Sequence, residues 1–418
     1  MGDNARAHVV FVTITFHPEP GAMRGLPLAR ALVNSGEYDV TVITAIPWYP
    51  LGHFYPGYRL RLWQWEAVEG VRILRLPLYP SHNRSALRRA TTYLTFFLAA
   101  LLIAPWRVRR GDIIYHVDNL PTTGLLACLL GAIWSAPVVQ HIGDLWPDTV
   151  QASGMTGHGL GARLVTRALD RIQRFIYARN TIVSVITDGF ARVLVSRGVP
   201  QNKLVVIPNW ADEEQFVPVE RDEATRRELG ITVPFAVIFA GNVGPLQALD
   251  VILDAAERLR NDHDIVFVIV GDGPSLPALR LRADRTRLPN VRFAGRWPIQ
   301  RMAAVNAAAD ALLIHLKDEP FLHSTVPSKT QIALLAGRPI LMGARGEAAE
   351  IIRSCNAGIV FTPEDGGSLA SAIRELAALA PAEREAMGAR GSQFYHDRLS
   401  MTAGITTMQR LFAQVRAR

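Results

Sequence analysis

Cysteine is scarce in this sequence, which limits the class of protein. Among 418 residues there are two cysteines, Cys128 and Cys355, and both have small or apolar neighbours. A disulfide framework is therefore excluded, and we expect two buried thiols in a reducing compartment. The N-terminus lacks a basic segment followed by an apolar run and a cleavage site, so we expect no signal peptide and a cytoplasmic protein.

Charged residues are also few, at 20% of the chain, whereas hydrophobic residues make up 49%. This composition disfavours long disordered regions, and the length predicts two domains. The net charge of +8 is uneven, because residues 1–210 carry +9 and the remainder −1. The basic half could meet nucleic acid, anionic lipid or a phosphorylated substrate. No RNA-binding motif, zinc-finger spacing or basic coiled coil is present, so no nucleic-acid partner is expected.

The apolar run Tyr93–Trp106 is too short to cross a bilayer, which takes about 18–20 residues. It lies within residues 84–110, where arginines flank it on both sides: Arg84, Arg88, Arg89, Arg107, Arg109 and Arg110. Such a segment predicts either a buried helix or a helix in the interface of an anionic membrane. The second alternative would make the protein peripheral on the inner membrane face.

A dinucleotide fingerprint is missing too. Neither half contains G-x-G-x-x-G followed by an acidic residue, which disfavours a dehydrogenase. What the sequence does contain is a repeated order of apolar strand, Gly-containing turn and helix, starting at His8 and again at Phe235. This order predicts an α/β fold of two doubly wound, Rossmann-like domains facing a central cleft. We predict domains at 1–210 and 211–395, with a C-terminal helix at about 396–418 that packs back on the first.

The stretch from Leu316 to Glu350 carries the clearest candidate site. Pro327 fixes φ, Ser328 can cap the N-terminus of a helix that runs through Leu335, and Gly337 ends that helix. Lys329 falls in the first turn, where free backbone amides and the helix dipole favour an anion such as phosphate. An ordinary solvated lysine is the alternative. Asp144 follows another predicted strand, either as a ligand contact or as a structural cap.

Several motifs, spread over nearly the whole chain, together resemble one family. They are HPEPGAMR, PWYPLG with PGY, GDLWPD, VVIPNWAD, FAGNVGPLQALD, VIVGDGP, NVRFAGRWP and VPSKTQIALLAGRPIL. The sequence resembles the retaining GT-B glycosyltransferases of the glycogen-synthase-like and mannosyltransferase-like group (family 4 type), nearest to a bacterial surface-polysaccharide branch. The resemblance implies a GT-B fold in which the first domain binds the acceptor and the second binds a nucleotide-diphosphate sugar.

The resemblance also implies roles for individual residues. The base would lie by Arg296 and Trp297, the diphosphate would meet Gly21, Gly244, Ser328 and Lys329, and Asp144 with Lys329 would be catalytic. The full implied donor site is Gly21, Arg24, Gly241, Asn242, Gly244, Gln247, Gly271, Asp272, Gly273, Arg296, Trp297, Ser324, Thr325, Pro327, Ser328 and Gln331. No metal and no cofactor is implied, because cationic side chains and helix N-termini neutralise the leaving diphosphate.

The sequence departs from the family pattern at four positions. The two glutamates that relatives place eight residues apart, the second holding the ribose hydroxyls, correspond to Ser324 and Ile332. Gln331 or Glu319 is a candidate substitute. Ile332 would then either face the donor ribose or pack on the buried side of its helix. The usual Arg and Lys after the first strand of the second domain are replaced by Asn242 and Gln247.

The leading functional hypothesis is a glycosyltransferase that moves a sugar to a hydroxyl or related nucleophile. The acceptor is either a lipid-linked saccharide or a soluble precursor of a secondary metabolite. A nucleotide-sugar epimerase of the same fold and a catalytically silent partner subunit remain as alternatives, the latter because Ser324 and Ile332 replace glutamates.

Overall fold

The computed structural model describes residues 6–20, 24–81, 85–117, 120–145 and 160–417. The chain forms two compact units, Met1–Ile207 with Ile405–Arg418, and Pro208–Gly404. The sequence prediction set the boundary after residue 210 and began the returning segment at about 396. In the structure the chain leaves the first unit after Ile207 and returns to it after Gly404.

The first unit is built on an eight-stranded sheet with the order β3-β4-β2-β1-β5-β6-β7-β8. Its strands follow buried runs of branched apolar residues, the pattern of a parallel sheet covered on both faces. Neighbouring strands are parallel except β3 and β4, which form an antiparallel pair at one edge. The strands are β1 (Ala7–Val12), β2 (Tyr38–Ala45), β3 (Gln64–Val68), β4 (Val71–Leu76), β5 (Ile113–His116), β6 (Val138–Ile142), β7 (Ile182–Val185) and β8 (Leu204–Val206).

The helices of the first unit alternate with these strands. They are α1 (Leu26–Asn34), α2 (Ala86–Arg107), α3 (Pro121–Trp134), α4 (Leu160–Arg179) and α5 (Asp188–Ser196). The C-terminal helix α14 (Met401–Arg416) also contributes, because the Phe412 ring meets Tyr38 and Tyr115 edge-on. Among the described residues, Leu87–Arg107 is the one helix that is long and apolar enough to cross a membrane, and 22% of its apolar window is buried.

The second unit is built on a six-stranded parallel sheet with the order β11-β10-β9-β12-β13-β14. Its strands are β9 (Phe235–Ala240), β10 (Ile265–Val270), β11 (Val291–Gly295), β12 (Ala311–His315), β13 (Ile340–Gly343) and β14 (Gly358–Val360). Its helices are α6 (Glu223–Glu228), α7 (Asp250–Arg258), α8 (Leu276–Thr286), α9 (Met302–Ala307), α10 (Ser328–Leu335), α11 (Glu347–Cys355), α12 (Gly366–Ala378) and α13 (Pro381–Phe394).

The strand order of the second unit determines where a ligand can bind. β9 is the first strand of this sheet in the chain, and it pairs with β10 on one side and with β12 on the other. The connections that leave β9 and β12 therefore run in opposite directions and leave a crevice outside the carboxyl ends of the two strands. Open α/β sheets bind ligands at such a switch point. The predicted doubly wound fold is confirmed.

Candidate functional site in the second unit

Two glycine-rich loops form the floor of this crevice. The loop after β9 starts at Gly241 and the loop after β10 at Gly271, and both glycines have positive φ, at 133° and 138°. A Cβ on Gly271 would lie 1.9 Å from the carbonyl oxygen of Gly241, so the loops touch backbone to backbone. The Val243 amide donates to the Asp272 carbonyl at 2.9 Å and continues the pairing beyond the strands.

Lys329 lies across the first of these loops. A Cβ on Gly241 would come within 2.5 Å of Lys329 Cε, so glycine at 241 is what leaves room for the lysine. The Lys329 Nζ lies 3.7 Å from the centroid of the buried Phe239 ring. It has no hydrogen-bond partner among the described residues. Burial lowers its pKa from 10.5 to about 7, because little around it replaces water on the charged form.

A cavity of about 930 Å³ opens beside Lys329, and described residues of the second unit line it. Nine of the residues named from the sequence meet there: Gly241, Asn242, Gly271, Asp272, Gly273, Arg296, Trp297, Ser328 and Lys329. A volume of this size and mostly apolar walls with a few polar groups are typical of cavities for small organic ligands.

Other predicted donor-site residues lie outside the lining of the cavity. Gln247 holds the glycine loop, because its Oε1 accepts from the Gly244 amide at 3.1 Å and from Asn242 Nδ2 at 3.4 Å. Asn242 and Gln247, at the positions where the family resemblance implies two cations, are thus partners of each other. Four more residues that do not line the cavity are Ser324, Thr325, Pro327 and Gln331.

The start of α10 differs from the sequence prediction. Pro327, not Ser328, is the N-cap residue, and no side chain caps the helix. Ser328 is therefore the first helical residue, and it is exposed and lines the cavity. The predicted end is confirmed, since the helix stops at Leu335 and Gly337 has a φ of 64°.

The predicted residues of the first unit have different surroundings. Gly21 lies outside the described residues. Arg24 is buried at 2% exposure, and its Nη2 donates to the Ile207 carbonyl at 2.6 Å. Burial lowers the pKa of this guanidinium, while Tyr115 acts in the opposite direction. Asp144 follows β6, and loss of solvent raises the pKa of its carboxyl. The donor role of Arg24 and the catalytic role of Asp144 stay predictions.

Sequence reasoning missed most of the cavity wall. The additional lining residues include one buried polar side chain, Asn306, which is 4% exposed and makes no side-chain hydrogen bond among the described residues. The apolar lining residues come from distant parts of the chain: Phe216, Ile238, Ala240, Val270, Pro298, Ile299, Met302, Leu312, Leu313, Ile314 and Ala333. Ile332, for which the sequence left a ribose-facing and a packed position open, also lines the cavity. The only signal for Asn306 in the sequence is that its segment follows the NVRFAGRWP motif.

A buried histidine fixes the loop that holds Asn242. His315 Nδ1 donates to the Gln247 carbonyl at 2.7 Å, and its Nε2 accepts from the Glu364 amide at 2.9 Å. The ring also stacks on Phe361. These partners require the neutral ring with its proton on Nδ1. Burial lowers the pKa of His315, which favours the same form.

The described residues contain no group of three or more His, Cys, Asp and Glu side chains that could hold a metal ion. The Asp262-His263-Asp264 segment matches the D-x-D pattern of some metal sites only superficially. It lies between α7 and β10, before a strand rather than after one, and Asp262 accepts a hydrogen bond from Arg374 at 3.0 Å.

Two family models match the chain. One, described as a glycosyl transferase 4-like domain, matches residues 23–210, and the other, described as glycosyl transferases group 1, matches residues 234–378. Solved structures share the fold. The sucrose-phosphate synthase of Thermosynechococcus elongatus has a TM-score of 0.72 at 17% identity, covering 99% of this chain and 100% of that one. Anabaena HepE in complex with UDP and glucose has a TM-score of 0.65 at 15% identity, covering 97% and 99%.

The chain therefore belongs to the GT-B glycosyltransferases. Two of its curated relatives carry provisional names as glycosyltransferases. WcaI of Escherichia coli K12, named for colanic acid biosynthesis, is 28% identical over 81% of this chain and 84% of its own length. WbjE of Pseudomonas aeruginosa is 29% identical over 72% of this chain and 75% of its own length.

Proposed function

We propose that this glycosyltransferase moves a hexose from a nucleotide-diphosphate sugar to an acceptor nucleophile with retention of the anomeric configuration. The observation that carries the proposal is Lys329, whose ammonium group has no hydrogen-bond partner in the described part of the chain and lies beside a cavity of about 930 Å³. A diphosphate on this nitrogen would supply the missing acceptor and raise the lysine pKa from about 7. The second unit is thus the donor-binding domain in our proposal.

Charge stabilisation at the leaving group is the main chemical role of this site. The bond from the sugar C1 to the diphosphate oxygen breaks, and the bond from C1 to the acceptor oxygen forms on the same face of the ring. The acceptor proton goes to the departing diphosphate, so this step requires no strong protein base. Lys329 and the uncapped amides of α10 would neutralise the developing charge without a metal ion. Asp144 would orient the acceptor.

The nucleoside would occupy the apolar part of the cavity. Trp297 lines the cavity, and the Arg301 guanidinium carbon lies over its ring, 4.4 Å from the centroid. Arg296 lines the same end of the cavity, and Asn306 provides an amide with both a donor and an acceptor for the edge of a base. A base could therefore bind by stacking and by a small number of polar contacts.

The names of relatives favour an acceptor in surface-polysaccharide synthesis. WcaI is named for colanic acid biosynthesis, and WaaG, a structural neighbour with a TM-score of 0.61, is described as involved in lipopolysaccharide biosynthesis. We propose that the acceptor is a lipid-linked saccharide in a bacterial cytoplasm, bound by the first unit. A soluble precursor of a secondary metabolite is the competing acceptor.

The outer face of α2 supports a lipid-linked acceptor. Phe96, Ala100 and Ala104 are buried in the core of the first unit, so α2 packs as part of the domain. The opposite face is apolar and exposed, at Leu87, Leu94, Leu98, Leu102 and Trp106. Described arginines stand at both ends of the helix: Arg88, Arg89, Arg107, Arg109 and Arg110. We propose that this face, called the α2 face below, lies in the interface of an anionic membrane.

A panel of nucleotide sugars tests the proposed reaction. Incubation of the protein with each sugar and a lipid-linked acceptor should release a nucleoside diphosphate with one donor class, and only when acceptor is present. Epimerisation without acceptor would favour the epimerase of the same fold. No turnover of any donor, together with tight nucleotide binding, would identify a silent subunit. A soluble acceptor that reacts equally well would remove the membrane part of the proposal.

A further inference from the structure

The cavity wall next to Lys329 is apolar where a ribose would lie. Ile332 follows Lys329 by three residues on α10, so the two side chains lie on the same side of the helix, about 5–6 Å apart at Cβ. Both line the cavity. In a nucleoside diphosphate the sugar ring is the group directly attached to the diphosphate. With the diphosphate on Lys329, the pentose, rather than the transferred hexose at the other end of the diphosphate, would lie against Ile332.

Among the described residues, no carboxylate lies on the side of the cavity formed by Lys329 and Ile332, where it could accept the pentose hydroxyls. Gln331 is buried at 3% exposure, and its amide nitrogen donates to the Pro327 carbonyl at 2.9 Å, in the orientation that satisfies both of its ends. Glu319 pairs with Lys317 at 3.5 Å. Neither residue lines the cavity.

One carboxylate does line the cavity, on another strand. Asp272 follows β10, which is separated from β12 by β9, and its Oδ1 accepts from the Gly273 amide at 2.7 Å. Asp272 is exposed to solvent. Its other carboxylate oxygen, Oδ2, is the competing partner for a ribose hydroxyl. The substitution Asp272→Asn is therefore part of the test.

We propose that the cavity selects a 2′-deoxyribonucleoside diphosphate, so that the donor is a thymidine diphosphate sugar, the donor class that carries 2′-deoxyribose. The C2′ methylene would pack on Ile332, whereas a 2′-hydroxyl there would leave water without gaining a partner. The inference rests on the proposed function, since it takes the diphosphate to bind at Lys329. An unpaired buried hydroxyl predicts a preference on the order of 5- to 100-fold.

Four ligands separate the pentose from the base. UDP and 2′-deoxy-UDP differ only at C2′, as do 5-methyl-UDP and thymidine diphosphate. UDP differs from 5-methyl-UDP, and 2′-deoxy-UDP from thymidine diphosphate, only in the 5-methyl group. We expect calorimetry on the full chain to give a lower Kd for the deoxy member of each pair, by the same factor in both pairs. Equal binding, or tighter binding of the ribose members, would overturn the inference.

Substitutions then locate the contact. Ile332→Thr keeps a β-branched but smaller side chain, places a hydroxyl on the wall and should reduce the deoxy preference at least threefold. Ile351→Thr is the matched control, because Ile351 is also a half-buried isoleucine against the same core but does not line the cavity; it should leave the preference unchanged. A ribose preference that Asp272→Asn abolishes would assign the hydroxyl contact to Asp272 and overturn the inference.

The outcomes also separate this inference from the proposed function. If Lys329→Ala weakens all four ligands but the wild-type protein shows no deoxy preference, the diphosphate site stands and only the pentose assignment fails. If none of the four binds, or if all bind Lys329→Ala as well as wild type, the proposed donor site itself is wrong. Melting temperatures of Ile332→Thr and Ile351→Thr without ligand confirm that both variants are folded.

Discussion

Lys329 Nζ lies over the face of the Phe239 ring, 3.7 Å from its centre. A cation over an aromatic face gains about 0.5–2 kcal/mol. This gain is smaller than the loss of hydration, and the pKa of Lys329 falls to about 7. Lys329 is therefore only partly protonated near neutral pH.

The first prediction concerns Lys329→Ala. Removing the ammonium should weaken the binding of a nucleoside diphosphate by about 1.5–3 kcal/mol, the range for a hydrogen bond to a charged group. Calorimetric Kd values of the two proteins measure this directly. An unchanged Kd would remove Lys329 from the donor site.

The pH dependence of binding provides an independent check of the same residue. With a pKa of about 7 in the free protein, Lys329 must take up a proton to bind a diphosphate above pH 7. Affinity for an intact nucleotide sugar should therefore fall as pH rises above 7, by up to about tenfold per unit. Lys329→Arg keeps its charge over this range and should show a flat profile, whatever its affinity at pH 6. A wild-type profile as flat as that of the arginine variant would contradict the assignment.

The second prediction is that Lys329→Met stabilises the ligand-free protein. Unfolded lysine titrates at 10.5 and folded Lys329 at about 7, so the unfolded chain binds more protons between these pH values and stability rises with pH. Methionine avoids this cost and packs well on an aromatic ring. We expect a gain of ~2–4 kcal/mol at pH 7 that shrinks towards pH 10. Denaturant unfolding at both pH values measures it, and a gain that is independent of pH would mean that the lysine charge is not its source.

Much of the fold could be predicted because the local signals are strong. The runs Phe235–Ala240 and Ile265–Val270 are wholly apolar, and the structure has β9 and β10 with those bounds. Strand β3 was not predicted, since it exists through antiparallel pairing with β4 across a turn at Glu69 and Gly70. Both turn residues have positive φ. Such hairpin turns favour Asn or Asp before Gly, and the glutamate hides the signal.

The candidate site could be predicted only for residues in the segments that come after strands of the sheet. The two glycine loops follow β9 and β10 directly, and Lys329 begins the helix that comes after β12, so strand order brings them to one edge. Asn306 and Phe216 reach the cavity through the packing of separate elements, which no local pattern encodes. The prediction that Ser328 caps α10 was wrong for a different reason. Pro327 has an extended ψ of 143° and is itself the N-cap residue.

The third prediction concerns His315 as a positioning residue. His315→Ala would leave the Gln247 carbonyl and the Glu364 amide without their partner, at about 1–3 kcal/mol for each group that stays buried and unpaired. The pKa of His315 is lowered, so its neutral form contributes stability that is lost as pH falls below 6.5. We expect the variant to unfold at lower denaturant concentration and to lose part of this acid sensitivity.

His315→Ala should also weaken nucleotide binding, since Gln247 holds the Gly244 loop. Equal acid sensitivity in both proteins would assign that sensitivity to other histidines, of which His8 and His141 also have lowered pKa values.

The last prediction tests the α2 face. Leu98→Glu with Leu102→Glu puts two charges on side chains that are 46% and 69% exposed, so the fold should be little affected. Binding to vesicles rich in anionic lipid should fall at least tenfold, because two apolar side chains no longer enter the interface and two anions approach a negative surface. Leu281→Glu, at a leucine of α8 that is 52% exposed in the second unit, is the matched control and should bind vesicles as the wild type does. Wild-type binding should also weaken with salt, since the arginines that flank α2 act over about 10 Å at 0.1 M ionic strength. If the wild-type protein stays in the supernatant with anionic vesicles at low salt, the α2 face does not contact membrane and a soluble acceptor is favoured.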